Sequence, residues 1–103
     1  MKITKMLTIS TAHVKKETAK FIDDVCKNNA LSNLIVYDKT AHYGVLSEEY
    51  GWFIYCNVDL EDLNVPEDLL KVMCFTRDND CDWLCIDRDG KVISSKYLDV
   101  YEW

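Results

Sequence analysis

The sequence predicts an α+β fold, a mostly antiparallel sheet with two helices packed on one face, in the order β-α-β-β-α-β-β. Three observations predict it. Apolar residues recur at helical spacing in two separate stretches, near 14–28 and 64–77. Short runs rich in β-branched and aromatic residues lie before, between and after them, the strongest being Gly51-Trp52-Phe53-Ile54-Tyr55-Cys56-Asn57-Val58. The tetrapeptide Asp87-Arg88-Asp89-Gly90 separates two such runs with hairpin-turn chemistry.

Ile3 to Ser10 reads as the first strand, its apolar Met6, Leu7 and Ile9 interleaved with Thr4 and Thr8. The first helix spans 14–28, with Val14, Thr18, Phe21, Ile22 and Val25 inward and the lysines and aspartates outward. Ser10 or Thr11 is placed to cap its start, and Asn28-Asn29 suits its end. Leu34 to Tyr37 forms a second strand, and Tyr43 to Leu46 is a further apolar run. The 51–58 strand is apolar on both pleat faces, which puts it inside the sheet.

An acidic loop, Asp59 to Asn64, leads into Asn64-Val65-Pro66-Glu67, which resembles a helix start with Asn as cap. Leu69, Val72, Met73 and Thr76 make the inner stripe of that second helix, which ends near Arg77. Trp83 to Ile86 is a buried strand, and Gly90 takes the turn position needing positive φ. Lys91 to Ser95 returns as a strand, and Leu98 to Trp103 adds a short edge. Ferredoxin-like connectivity satisfies this order, although the order of strands in the sheet is not legible.

At 103 residues and 49% apolar, the chain has the size and composition of one domain, residues 1–103, with a real core. One Pro and three Gly leave no linker or low-complexity stretch. No apolar run reaches the roughly 18 residues of a membrane span, and no apolar segment follows the basic N-terminus as in a signal peptide. The five cysteines, an odd number, sit mostly among apolar neighbours and suit a reducing cytosol better than a disulfide framework.

Charge is unevenly spread. Residues 1–58 carry seven Lys against six acids, a balance of +1. Residues 59–103 carry five basic residues against twelve acids, a balance of −7. Phosphate-backbone binding needs clustered Lys and Arg, so the later half disfavours nucleic acid and favours a basic protein partner.

Catalytic and metal motifs fall short. His13 and His42 are the only histidines, and nothing in the sequence sets either beside a thiol. Cys81-x-x-x-Cys85 lacks the second ligand pair of a structural zinc site. Asp78-x-Asp80-x-Asp82 opens like a calcium loop, but Trp83 takes the glycine position and Asp89 the final glutamate position. No catalytic residue, metal ligand or cofactor is expected.

Two surfaces remain. The first is acidic: Asp59, Glu61, Asp62, Glu67 and Asp68 at the start of the second helix, and Asp78, Asp80 and Asp82 at its end. The macrodipole accounts for Glu67 and Asp68 but not for three acids at a helix C-terminus. The second is aromatic. Most rings are expected in the core, with Tyr50, Tyr101 and Trp103 as possible interface anchors. A base-stacking sheet of the RNA-binding kind would need a basic, glycine-rich strand, and Gly51 to Tyr55 has no Lys or Arg.

Leu7-Thr8-Ile9-Ser10-Thr11-Ala12-His13, Tyr50-Gly51-Trp52-Phe53-Ile54-Tyr55, Cys81-Asp82-Trp83-Leu84-Cys85-Ile86-Asp87 and Val100-Tyr101-Glu102-Trp103 together resemble a family of small bacterial and mobile-element proteins. That family includes a gut-metagenome type II-A anti-CRISPR inhibitor of the RNA-guided DNA nuclease. The resemblance covers nearly the whole chain and brings no catalytic residues with it. It implies a cytoplasmic, cofactor-free inhibitor that binds the nuclease or its guide-RNA complex and mimics DNA, its carboxylates pairing with arginines that otherwise hold nucleic acid. Two alternatives stand beside it: an accessory protein-binding module of a mobile element using the exposed aromatics, and an enzyme whose site is not recognised.

Overall fold

The computed structural model describes residues 5–27, 34–38, 51–88 and 90–101. Its elements are β1 (Met6–Ser10), α1 (Lys16–Lys27), β2 (Val36–Asp38), β3 (Gly51–Tyr55), α2 (Glu67–Asp78) and β4 (Trp83–Asp87), with single 3-10 turns at Thr11–His13 and Leu60–Asp62. The predicted run Tyr43 to Leu46 and the Asn28-Asn29 helix end lie outside the described residues.

The four strands form one sheet in the order β1-β4-β3-β2. β3 is antiparallel to both β4 and β2, and β1 runs parallel to β4. The fold is α+β as expected, and the sheet is mixed, two pairings antiparallel and one parallel. β1 sits at an edge, so the order is not ferredoxin-like. The connection through α1 carries the chain from one edge of the sheet to the other. β3 is internal, as its two apolar faces require.

Period-two alternation sorts the strand residues cleanly. Ile9, Val36, Trp52, Ile54, Leu84 and Ile86 point one way and are buried in the core. Ala19, Ile22 and Val25 of α1 and Leu69, Val72 and Met73 of α2 pack in the same cluster. Each fully buried Val, Leu, Ile or Met side chain among them contributes roughly 1.5–3 kcal/mol. Both helices therefore cover one face. Thr8, Phe53, Tyr55, Trp83 and Cys85 point to the other face and stand outside that cluster.

The helix starts differ from the sequence reading. Ser10 caps the 3-10 turn, its hydroxyl accepting from the Ala12 amide at 3.1 Å, rather than α1. The amide of Lys15, just ahead of α1, instead donates to Asp68 Oδ2 at 2.8 Å, and the Thr18 hydroxyl donates to Asp68 Oδ1 at 2.7 Å. A carboxylate from α2 thus caps α1 and ties the helices together. α2 begins two residues later than Asn64 would place it, with Pro66 at the cap position and no side-chain cap bond.

The largest departure is the C-terminal segment. Lys91 to Ser95 and Leu98 to Trp103 are expected as strands, but the described residues 90–101 form none. The segment is instead hung on the end of β1 and the Thr11–His13 turn by long-range bonds. Ser10 N–H donates to the Lys91 carbonyl at 3.0 Å, and Tyr101 N–H to the Ala12 carbonyl at 2.7 Å. Gly90 is required for room rather than for a positive φ: an added Cβ would collide with the Ile9 carbonyl.

Candidate functional site

The acidic residues divide by what holds them. On the side of α2 where the helix starts, Asp59, Glu61, Asp62 and Glu67 are exposed. Asp59 caps the Leu60–Asp62 turn, accepting from the Glu61 amide at 3.2 Å, and remains solvated. Residues 51–70 contain five acids and no Lys, Arg or His. Asp68 departs from its neighbours: it is buried, and its carboxylate is engaged by Lys15 and Thr18. It belongs to the interior rather than to an outward surface.

At the other end of α2, two of three acids have local explanations. Asp80 adopts φ 58°, the left-handed position after the helix. The Cys81 amide donates to the Thr76 carbonyl and the Asp80 amide to the Arg77 carbonyl, the Schellman pattern, in which Asp substitutes for the usual Gly. Asp82 pairs with Arg77 at 3.4 Å. Asp78 is exposed on the helix itself.

Glu67, Lys71, Cys74 and Asp78 fall at i, i+4, i+7 and i+11, one outward ridge of α2. This spacing also explains why Cys74 is exposed, although its sequence neighbours are apolar. The ridge and the C-terminal segment enclose a groove of about 560 Å³. Its other rim carries Lys96, Tyr97, Asp99 and Tyr101, and His13 lies at its base. Lys71 reaches Asp99 at 3.7 Å. Lys15 lies 5.7 Å from the Tyr101 ring centroid and Lys96 5.7 Å from that of Tyr97. Partial burial, reinforced by the negative charges of Asp99 and Asp68, pushes the Tyr101 phenol up.

His13 is 1% exposed, with both ring nitrogens engaged by backbone. The Ile93 amide can only donate, so Nε2, 2.7 Å away, accepts. Nδ1 then carries the proton and donates to the Asp99 carbonyl at 2.8 Å. The imidazole is a structural tie between the 3-10 turn and the C-terminal segment. Burial pushes the Cys56 thiol up to about 12, against weaker opposing contributions from Thr76 and Arg77. That thiol donates to the Ile54 carbonyl at 3.6 Å. Among the described residues, no three His, Cys, Asp or Glu side chains are grouped so as to hold a metal ion, and no helix is long and apolar enough to cross a membrane.

The aromatic expectation needs correction. Among the described rings, Trp52 is fully buried. Tyr37 (51% exposed) and Tyr97 (63%) are the most exposed, and sequence reasoning singled out neither. Tyr37 and Tyr55 flank Trp83 on the sheet face opposite the two helices, with centroids 6.1 and 5.0 Å from it. Alternation within β2 would have signalled Tyr37, since its neighbour Val36 faces the core. Tyr50 and Trp103 lie outside the described residues, and Tyr101 is partly exposed at the groove.

No curated protein and no solved structure matches this chain. A family model does, over residues 6–103, and so nearly the entire fold described above falls within it. The chain belongs to the family of unknown function DUF5983, matching the model of its C-terminal domain.

Proposed function

We propose that this chain is a non-enzymatic binding protein of the bacterial cytoplasm that engages a basic protein surface through exposed carboxylates, and that its partner is the RNA-guided DNA nuclease of a type II CRISPR system or its guide-RNA complex. One observation carries the reading: Asp59, Glu61, Asp62 and Glu67 are exposed in a stretch of twenty residues without a single cation. Such a surface competes for arginines that otherwise hold nucleic acid, giving stoichiometric inhibition without cofactor. Asp78 extends the acidic character along α2, and Asp80 and Asp82 add to the field while serving local structure. The choice of nuclease as partner comes from the resemblance in sequence.

The test is inhibition of target-DNA cleavage by purified nuclease, titrated with wild type and with Asp59→Lys/Glu61→Lys/Asp62→Lys. Loss of inhibition in the variant, and weaker pull-down of nuclease at high salt, support the reading. Unchanged inhibition ends it.

A second reading has its own observation. Tyr37, Tyr55 and Trp83 form a ring cluster on the sheet face opposite the two helices, where Tyr37 is 51% and the neighbouring Met6 48% exposed. A protein partner docked there would be lost on Tyr37→Ala and retained in the acid variants.

A further inference from the structure

The groove between α2 and the C-terminal segment is lined by Glu67, Asp68, Asp78 and Asp99 against Lys71 and Lys96. These two lysines, and Lys15 beside the lining residue Tyr101, already contact its groups. Lys15 and Lys96 lie over the Tyr101 and Tyr97 rings, each 5.7 Å from the centroid, within the range of cation–π attraction. Lys71 reaches Asp99 at 3.7 Å. All three contacts are weak. An exposed cation–π contact and an exposed ion pair each contribute little against competing water. Lys71 and Asp99 are each about 60% exposed, so water competes for both. An incoming group with better geometry displaces them.

Guanidinium has that geometry. It is planar, pairs with a carboxylate through two parallel hydrogen bonds and stacks on an aromatic ring. Carboxylates stand at both ends of the groove. Glu67 and Asp78 are eleven residues apart on one ridge, roughly 16 Å at the helical rise per residue. An extended chain covers that in about five residues, at roughly 3.3 Å each, and presents alternate side chains to one side. The volume of about 560 Å³ lies within the range of ligand sites, roughly 300–1,000 Å³.

We propose that this groove receives an extended arginine-bearing segment of a basic protein, of the pattern Arg-x-Arg-x-Arg. Glu67, Asp78 and Asp99 pair with its guanidinium groups, and Phe75, Tyr97 and Tyr101 supply the rings. This rests on the reading that the partner is a basic protein, and adds a second contact surface beside the exposed carboxylates of the Leu60–Asp62 turn. Asp59, Glu61 and Asp62 are not among the residues lining the groove, so the two surfaces separate experimentally.

The experiment uses the full chain and a fluorescein-labelled peptide, Gly-Arg-Gly-Arg-Gly-Arg-Gly, read by fluorescence anisotropy at low and high salt. Glu67→Gln/Asp78→Asn should weaken binding at least tenfold. Asp59→Asn/Glu61→Gln/Asp62→Asn, which removes more charge, should change it less than threefold. The Lys analogue of the peptide should bind several-fold more weakly. Cys74 lies in the groove and is exposed, so bound peptide should slow its alkylation while leaving Cys26 unaffected. No binding, equal loss in both variants, or an unprotected Cys74 overturns the inference. If the turn variant alone loses both peptide and nuclease inhibition, the groove is wrong and the acidic-surface reading stands. If the groove binds peptide but no acid variant affects cleavage, the groove stands and the proposed function falls.

Discussion

The two ends of α2 carry the same residue type for different reasons. At its C-terminal end, Asp80 occupies a left-handed backbone position and Asp82 holds Arg77. Backbone geometry and a local pair account for both. On the side where α2 starts, Asp59, Glu61, Asp62 and Glu67 are exposed. Asp59 caps a turn, but the local structure gives Glu61 no comparable task. A count of acids treats the two ends alike, whereas the structure assigns most of one end to folding. The other end presents Asp59, Glu61 and Glu67 exposed within residues 51–70, a run whose sequence carries no cation, and that contrast is what makes it the stronger candidate surface.

The sharpest test of the contrast compares adjacent residues. Asp68 and Glu67 differ by one position and one methylene, yet one is buried and the other exposed. Asp68→Ala leaves the Lys15 amide and the Thr18 hydroxyl without their acceptor and removes the cap of α1. Unsatisfied buried donors and a lost cap together cost about 2–4 kcal/mol. Glu67→Ala should cost less than about 0.5 kcal/mol. Urea denaturation of both variants measures the difference. Equal stabilities would mean that Asp68 is not the tie between the helices.

The core beneath α2 predicts a smaller, pH-dependent effect. The Cys56 thiol titrates near 12 in the folded chain and near 9.0 in its ordinary state. Between those values the folded state holds a proton that the unfolded state releases. Stability is fully present below pH 9 and falls as pH rises toward 12, by at most about 1.4 kcal/mol per pH unit from this group. The raised Tyr101 phenol acts in the same direction. By pH 10.5 the loss due to Cys56 should be about 1–2 kcal/mol, and Cys56→Ala should flatten the slope even though it lowers stability overall. An unchanged slope would show that this thiol ionises without cost in the fold.

Much of the fold was legible because burial imposes a period. The stripe Leu69, Val72, Met73 and Thr76, the internal place of the Gly51 strand and the α+β class all follow from spacing and apolarity. What failed lacks a period. Lys91-Val92-Ile93 has strand-like residues, but the Lys91 carbonyl accepts from Ser10 at the end of β1 while the Ile93 amide donates to His13 Nε2, a side chain, and no ladder forms. Asp68 looked like an ordinary helix-start acid, since its partners lie fifty residues or more away. The groove was invisible for the same reason: it forms only when residues near 67–78 meet those near 95–101.

The smallest effects separate folding acids from surface acids at the two ends. Asp80→Gly places the residue without a Cβ penalty at φ 58°, and should stabilise the chain by about 0.5–1 kcal/mol. Glu61→Gln/Asp62→Asn changes exposed groups on a 3-10 turn and should move stability by no more than about 0.5 kcal/mol in either direction. Thermal unfolding of both variants, with Asp80→Asn as a charge-only control, reads the contrast. If Asp80→Asn stabilises as much as Asp80→Gly, charge rather than backbone geometry governs the C-terminal end of α2. If Glu61→Gln/Asp62→Asn destabilises by more than about 1 kcal/mol, those carboxylates serve the fold, and the carboxylates left for a partner shrink toward Glu67 and Asp78.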